Sequence, residues 1–212
     1  MSKSLRQAFT IARSGKPGPV LVDIPQDILA ADIEFAEYLP ASRPGRMRGD
    51  ADQIKAAAEA LLSAQRPLIV SGGGAIASGA AAEVRELAEA LAIPVITTLA
   101  GRGILSDDHE LSAGGIGHHR QEITKHLLPD ADVIIGIGAR FEQQETNWKP
   151  EYLPAPDAIY IQIDIDPTEI GKSVAARIGI VGDAKLTLKK FSTSSNVLVL
   201  LDDPMIRMGA GV

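Results

Sequence analysis

Apolar residues between positions 50 and 190 alternate between two kinds of spacing. Apolar residues three, four and seven apart predict one helix from Asp50 to about Gln65 and another that includes Val84 and Leu91. Short runs that are apolar throughout lie between the helices and predict strands. Such strands, alternating with helices, are typical of a parallel sheet covered on both faces, and therefore of a doubly wound α/β domain. The five predicted strands are Pro67–Ser71, Pro94–Thr98, Asp132–Ile137, Ile159–Ile165 and Ile178–Val181.

Two further helices are predicted at His119–Leu128 and from Asp183 onward. Residues 99–117 and the polar stretch 140–157 show neither periodicity, so we expect loops there. The five strands and four helices together account for the region 50–190 as one domain.

The first 40 residues follow a different pattern. Ser4–Arg13 has helical spacing, and the apolar run Pro19–Ile24 predicts a buried strand. One helix and one strand cannot bury a core, so we expect residues 1–40 to be the C-terminal remnant of another domain. The Pro- and Arg-rich stretch 41–49 predicts a linker. Residues 191–212 remain an unassigned tail, in which 197–201 is apolar enough to pair as an edge strand.

Composition excludes several classes of function. The net charge of −6, without a basic stripe, argues against nucleic acid and against an anionic membrane surface as partners. The absence of cysteine excludes disulfides, thiol nucleophiles and cysteine zinc sites, and it fits a cytoplasmic location. No stretch approaches the length of a membrane span.

A glycine-rich turn follows the first strand of this domain. Gly72, Gly73 and Gly74, with Ala77, satisfy G-x-G-x-x-A between a strand and a helix. Such a turn lets the backbone approach a pyrophosphate, but it is equally explained by a tight turn that needs positive φ. NAD-binding domains also place an acid at the end of the next strand. Here that strand ends in Thr98-Leu99, which disfavours simple NAD binding.

Charged residues follow three later strands. Asp164 and Asp166 close one strand and Asp183 follows another, where a carboxylate can bind ribose hydroxyls or cap the next helix. For Asp183 the capping role is at least as well supported. Arg140 ends a third strand, where it can pair with phosphate or stack on a ring, the alternative being a solvated surface arginine.

No motif predicts a catalytic or metal-binding residue. The neighbouring His118 and His119 do not share one helix face, as a metal pair at i and i+4 would. Neither G-x-S-x-G nor a P-loop is present. The glycine-rich approach to His118, which includes Gly117, suggests backbone contact with a ligand instead.

Taken in order, these segments resemble thiamine-diphosphate enzymes. SGKPGPVLVDIPQDI resembles the end of their pyrimidine-binding domain, and RPLIVSGGGA, IPVITTLAGRGILSDDH, ADVIIGIGARF and IQIDIDPTEIGKS resemble their Rossmann-like central domain. The flavin-binding members, above all acetolactate synthase, are the most similar. This resemblance implies a domain that binds FAD, or an ADP-like nucleotide, without net redox chemistry. The implied contacts are Gly72, Gly73, Gly74, Thr98, Leu99, Gly117, His118, Gly138, Ala139, Arg140, Asp164, Ile165, Asp183 and Ala184.

The resemblance also implies the chemistry of a longer parent protein. That parent would be a homo-oligomeric carboligase of branched-chain amino acid biosynthesis, which uses thiamine diphosphate and magnesium to decarboxylate pyruvate and join the two-carbon unit to a second 2-keto acid. A decarboxylase or oxidase of the same family is the near alternative. The family's activating glutamate and Gly-Asp-Gly magnesium motif match nothing in this chain, so we expect the 212 residues alone to be a fragment without thiamine binding or turnover.

One departure leaves the ligand open. The family continues Gly-Ala-Arg-Phe with two acids and a second arginine, whereas here Phe141 is followed by Glu142-Gln143-Gln144. A structural domain with an empty cleft therefore remains an alternative. So does a stand-alone nucleotide-binding module of the sirtuin or electron-transfer-flavoprotein type, although the PGPVLVDIPQDI segment argues against it.

Overall fold

The computed structural model describes residues 2–32, 34, 37, 39–42, 44–117 and 124–193. The chain divides into two compact units, Met1–Arg46 and Met47–Val212. The division falls inside the stretch predicted as a linker. The predicted tail lies outside the described residues from position 194 onward, as does the start of the helix predicted at His119. That the first unit is a remnant of another domain stays a prediction.

In its described residues the first unit contains two helices, α1 (Ser2–Ala12) and α2 (Gln26–Ala30). The strand predicted at Pro19–Ile24 is wrong: these residues belong to no sheet, and Leu21 is 88% exposed. A strand needs a neighbour for its backbone N–H and C=O groups, and the described part of this unit contains no other strand. The run has the apolar composition of a buried strand, but the described part of this unit offers no neighbouring strand with which it could pair.

The second unit is built on a six-stranded parallel sheet with the order β3-β2-β1-β4-β5-β6. This order confirms the predicted doubly wound α/β fold. The strands are β1 (Pro67–Ser71), β2 (Val95–Thr97), β3 (Ser112–Gly115), β4 (Val133–Ile137), β5 (Ile159–Asp164) and β6 (Ile178–Val181). The helices are α3 (Ala51–Ser63), α4 (Gly73–Ser78), α5 (Ala81–Leu91), α6 (Thr124–Asp130), α7 (Gln143–Thr146) and α8 (Ala184–Thr193).

The strand β3 was not predicted, and the expected count of five strands is wrong. Its sequence, Ser-Ala-Gly-Gly, contains no apolar run, and all four residues are only half-buried. It forms the edge of the sheet beside β2, where backbone pairing on one side is sufficient. The helix α7 and short 3₁₀ turns likewise lie in stretches predicted as loops.

The helix α3 forms where its periodicity predicts it. The Asp50 carboxylate accepts hydrogen bonds from the N–H groups of Asp52 and Gln53, which caps the helix. The single helix predicted after the glycine turn is divided into α4 and α5. The break is at Gly79, whose φ of +71° ends α4 in a left-handed cap.

Side chains cover both faces of the sheet, as the apolar strands predicted. Along β1, Ile69 packs into the core beneath α3, α5 and α8, whereas Leu68 and Val70 pack into a second core that includes α6. Successive strand residues point to opposite faces, so the inner strands β1, β2, β4 and β5 contribute to both cores.

The carboxylate of Asp132 joins the starts of the central strands β1 and β4. It accepts the N–H groups of Gln65 at 2.7 Å and Arg66 at 2.9 Å. Burial acts to raise the pKa of Asp132, but these backbone hydrogen bonds outweigh it and hold the pKa below its usual value. Among the described residues, no helix is long and apolar enough to cross a membrane.

Candidate functional site

The strand order reverses between β1 and β4, because β2 and β3 lie to one side of this pair and β5 and β6 to the other. The loops after β1 and β4 leave the sheet in opposite directions at such a point, which opens a crevice at its carboxyl edge. Ligands of open α/β sheets bind in this crevice. The candidate site is therefore the set of turns at this edge.

The glycine turn after β1 packs directly on the turn after β4. Gly72 N–H donates to the carbonyl of Ile137 at 2.9 Å, and Gly74 N–H donates to the carbonyl of Gly138 at 3.1 Å. A Cβ at Gly72 would lie 2.1 Å from the Gly138 carbonyl oxygen. None of Gly72, Gly73 and Gly74 has positive φ, so the alternative of a positive-φ turn is wrong. Gly72 and Gly74 are instead required by contact with another turn of the chain.

The turn after β2 approaches the same place. Thr98 N–H donates to the carbonyl of Ser71 at 3.0 Å, and a Cβ at Gly101 would lie 2.1 Å from that carbonyl oxygen. The Thr98 side chain is buried, whereas Leu99 is 65% exposed at the edge. Leu99 therefore offers an apolar surface there.

Glu145, in α7, connects this turn with the one after β3. Gly117 has a φ of +89°, and a Cβ there would lie 3.0 Å from the carbonyl oxygen of Glu145. Burial raises the pKa of the Glu145 carboxyl, and hydrogen bonds from the Glu142 backbone and the Thr98 hydroxyl offset this only in part. The predicted contact His118 lies outside the described residues.

Arg140 lies after β4 and is engaged by two carboxylates. Its guanidinium is 2.8 Å from the Glu142 carboxylate and 3.9 Å from that of Glu169, which also pairs with Lys172 at 3.3 Å. The Arg140 side chain is 40% exposed, so an anion in the crevice can reach it. Such an anion would compete with Glu142 for the arginine. The preceding Ala139 is buried.

The two strand-end aspartates differ in role. Asp164, at the end of β5, accepts the N–H of Asp166 at 2.9 Å, and Ile165 beside it is half-buried. Asp183, after β6, accepts the N–H of Leu186 at 3.0 Å and thereby caps α8, in which Ala184 is the first residue. The capping role considered for Asp183 is confirmed, whereas ribose binding by either aspartate stays a prediction.

Glu145 and Glu169 are site residues that sequence reasoning missed. Both lie in stretches without periodicity, and their partners, Thr98 and Arg140, are distant in the chain. The one local signal is the Glu142-x-x-Glu145 spacing, which resembles a capping box. No three His, Cys, Asp or Glu residues in the described part of the chain are arranged to hold a metal ion.

The structure thus places every described residue of the predicted nucleotide site at or after the end of a strand, at the carboxyl edge of one sheet. Whether they bind a nucleotide together stays a prediction. By strand, they are Gly72, Gly73 and Gly74 after β1, Thr98 and Leu99 after β2, Gly117 after β3, Gly138, Ala139 and Arg140 after β4, Asp164 and Ile165 at β5, and Asp183 and Ala184 after β6.

Comparison with known proteins gives one family match. Residues 54–191 match the family described as the central domain of thiamine pyrophosphate enzymes. A probable acetolactate synthase large subunit of Methanocaldococcus jannaschii is 42% identical over 207 residues, which cover 94% of this chain and 34% of that protein. A glyoxylate carboligase of Escherichia coli O157:H7 is 44% identical over 189 residues, covering 87% and 31%. Acetolactate synthase isozyme 3 large subunit of Escherichia coli K12 is 39% identical over 191 residues, covering 88% and 33%.

The chain spans about a third of the length of the curated relatives that it matches. The matched family region begins in α3 and ends in α8, so it comprises the whole six-stranded sheet described above. This chain therefore belongs to the acetolactate synthase-like thiamine pyrophosphate enzymes, of whose central domain it carries residues 54–191.

Proposed function

We propose that this central domain binds FAD or an adenine nucleotide across the carboxyl edge of its sheet. The observation that carries the proposal is that an accessible arginine after β4 and a carboxylate at the end of the neighbouring strand β5, Arg140 and Asp164, lie at the carboxyl edge beside the point where the strand order reverses. An arginine can bind the phosphates of such a ligand, and a carboxylate can accept hydrogen bonds from its ribose hydroxyls.

The residues present fit such a ligand in three respects. Arg140 supplies the positive charge for a diphosphate, Asp164 supplies an acceptor for a ribose, and the exposed Leu99 supplies apolar surface for a flat ring. Gly72 and Gly74 contribute less to phosphate binding than the glycine motif implies, because their backbone N–H groups already donate hydrogen bonds within the protein. When bound, FAD would supply an isoalloxazine ring and an adenosine diphosphate, both held without net redox chemistry.

For a longer parent protein we propose 2-keto acid decarboxylation and carboligation with thiamine diphosphate and magnesium. The relatives named acetolactate synthase and glyoxylate carboligase support this class of reaction. A decarboxylase or oxidase of the same family is the neighbouring possibility. The parent is proposed to act as a homo-oligomer in the cytoplasm.

Thermal-shift titration of the chain with FAD, ADP and NAD tests the nucleotide site. We expect FAD or ADP to raise the melting temperature, since a ligand at 100 times its Kd stabilises the folded state by about 2.7 kcal/mol. Arg140→Gln should weaken this binding about tenfold or more, because it removes a charge-assisted contact to phosphate. Lys55→Gln, an exposed change on α3, is the matched control and should bind as the unchanged chain does.

Three results would contradict the proposal. No shift with any nucleotide would favour the structural domain with an empty cleft, and a preference for NAD would favour a stand-alone module. Equal binding by Arg140→Gln and Lys55→Gln would remove Arg140 from the site. The further expectation, that the 212 residues alone do not consume pyruvate with thiamine diphosphate and magnesium, is measured separately by pyruvate loss.

A further inference from the structure

Arg140 lies between two carboxylates that differ in their exposure to solvent. Its Nη2 atom is 2.8 Å from Oε1 of Glu142, whose side chain is 47% exposed. Its Nη1 atom is 3.9 Å from Oε1 of Glu169, whose side chain is only 7% exposed. One end of the guanidinium therefore meets a carboxylate in solvent, and the other end meets a buried one.

The backbone that carries Arg140 and Glu142 is fixed by the core. Phe141, which lies between them, has a φ of +51°, an angle that bulky residues rarely adopt. Its ring is buried and packs edge-to-face on Tyr160, with the ring centroids 5.4 Å apart. Such an angle persists only where surrounding contacts impose it, so the turn that presents both side chains is held by this packing.

Capping of α7 is the simpler role for Glu142, but its side chain does not perform it. Glu142 is the N-cap residue of α7, yet among the described residues its side chain makes no capping hydrogen bond. The helix begins instead on the Glu142 carbonyl, which accepts the N–H groups of Glu145 and Thr146, both at 3.0 Å. Glu142→Gln therefore keeps the main-chain start of α7 and removes only the charge.

Glu169 is held in place by its own segment. The Gln162 side chain in β5 donates to the Glu169 carbonyl at 2.9 Å and accepts the N–H of Gly171 at 2.8 Å. The Glu169 carboxylate also pairs with Lys172 at 3.3 Å. A buried carboxylate depends on its cations more than an exposed one does, because solvent and salt compensate it less. Glu169 is therefore the partner that Arg140 keeps, and Glu142 is the one that it can release.

We propose that Arg140 exchanges one carboxylate for phosphate when the nucleotide binds, so that it releases Glu142 and retains Glu169. Glu142 then weakens phosphate binding, because it occupies the arginine in the free protein. Glu169 is a positioning residue, because it acts on the ligand only through Arg140. The proposal rests on the nucleotide site proposed above.

Isothermal titration calorimetry with ADP tests the release of Glu142. We expect Glu142→Gln to lower the Kd about two- to fivefold, which is the factor by which an exposed ion pair stabilises the free protein. The same change in an Arg140→Gln background should leave the Kd nearly unaltered, since its effect acts through the arginine. Glu59→Gln, which breaks an exposed ion pair with Lys55 on α3, is the matched control and should bind as the unchanged chain does.

Glu169→Gln separates the exchange from a simple change of charge. If charge alone mattered, the loss of either carboxylate would tighten phosphate binding. The exchange predicts the opposite sign for Glu169, because the guanidinium loses the carboxylate that holds it in place against the phosphate. We expect the Kd for ADP to rise about threefold or more, and this rise should disappear in the Arg140→Gln background. Damage to the fold would instead persist in that background.

A Kd for Glu142→Gln at or above that of the unchanged chain would overturn the exchange while leaving the nucleotide site intact. So would a Kd for Glu169→Gln at or below that of the unchanged chain, or effects of either variant that persist without Arg140. Absence of ADP and FAD binding by the unchanged chain would instead overturn the nucleotide site itself.

Discussion

Single atoms decide which residues can form the crevice. At Gly72 the extended φ of −110° is open to any residue, yet a Cβ would lie 2.1 Å from the Gly138 carbonyl oxygen. At Gly73, by contrast, a Cβ would lie 3.0 Å from the Ala100 side chain, a contact that small movements relieve. Two adjacent glycines of one motif are therefore restricted by different contacts, to different degrees. Only the first is required by the approach of β1 to β4.

The difference predicts unequal effects on stability. Gly72→Ala should lower the free energy of unfolding by about 3 kcal/mol, because the new methyl group meets backbone that cannot move away. Gly73→Ala should change it by less than about 1 kcal/mol. Urea denaturation monitored by circular dichroism measures both values. Equal losses would show that the contact with Gly138 is not the cause.

Between elements, a buried charge accompanies the packing of α5 against α8. These helices share the core on one face of the sheet, to which Val84 and Leu188 contribute. The Glu83 side chain is only 7% exposed, and one of its oxygens pairs with Lys185 at 3.8 Å and Lys189 at 3.9 Å. Its other oxygen is buried without a hydrogen-bond partner. Glu83 therefore depends on the lysines of α8 for compensation.

Removal of both lysines should destabilise the domain. The double variant Lys185→Met with Lys189→Met leaves the Glu83 carboxylate buried and uncompensated, and we expect a loss of about 2 kcal/mol. Addition of Glu83→Met should recover most of this loss, since no buried charge then remains. Lys55→Met, an exposed change on α3, is the control. If the double lysine variant is as stable as Lys55→Met, then Glu83 does not depend on Lys185 and Lys189 for compensation of its charge.

On the scale of the molecule, the second unit supplies its own core. Every residue of both core clusters lies between Ile54 and Phe191, within the unit Met47–Val212. The unit also begins with structure of its own: Asp183 N–H donates to the carbonyl of Met47, and Gly49 N–H donates to the hydroxyl of Thr187. The cooperative unit of folding is therefore expected to begin near Met47.

A chain that begins at Met47 should fold without the preceding residues. We expect its thermal unfolding to remain cooperative, with a melting temperature within about 4 °C of that of the full chain. Differential scanning calorimetry of the two chains provides the comparison. A chain that begins at Asp50 is the matched test, because it lacks Met47 and Gly49 and the hydrogen bonds that they make. We expect this shorter chain to melt at a lower temperature. Loss of cooperativity in the first chain would contradict this division.

The local pattern of apolar residues was sufficient to predict the strands that lie in the middle of the sheet. β1, β4 and β5 consist mainly of apolar residues because neighbours cover both faces, so consecutive residues show their burial. The edge strand β3 and the short α7 have no such signal, since backbone pairing and a few distant contacts hold them. Residues 19–24, by contrast, have the apolar pattern of a strand but belong to no sheet.

The sequence by itself determined the fold class and the edge of the sheet at which the site residues lie, because the carboxyl ends of parallel strands meet at one edge. Tertiary structure alone decided how those residues pair. The close approach of Gly72 to Gly138 and the hydrogen bond from Gly74 N–H to the Gly138 carbonyl join residues on different turns. Such distances depend on how the strands are ordered and how tightly their turns pack, and no local periodicity encodes either.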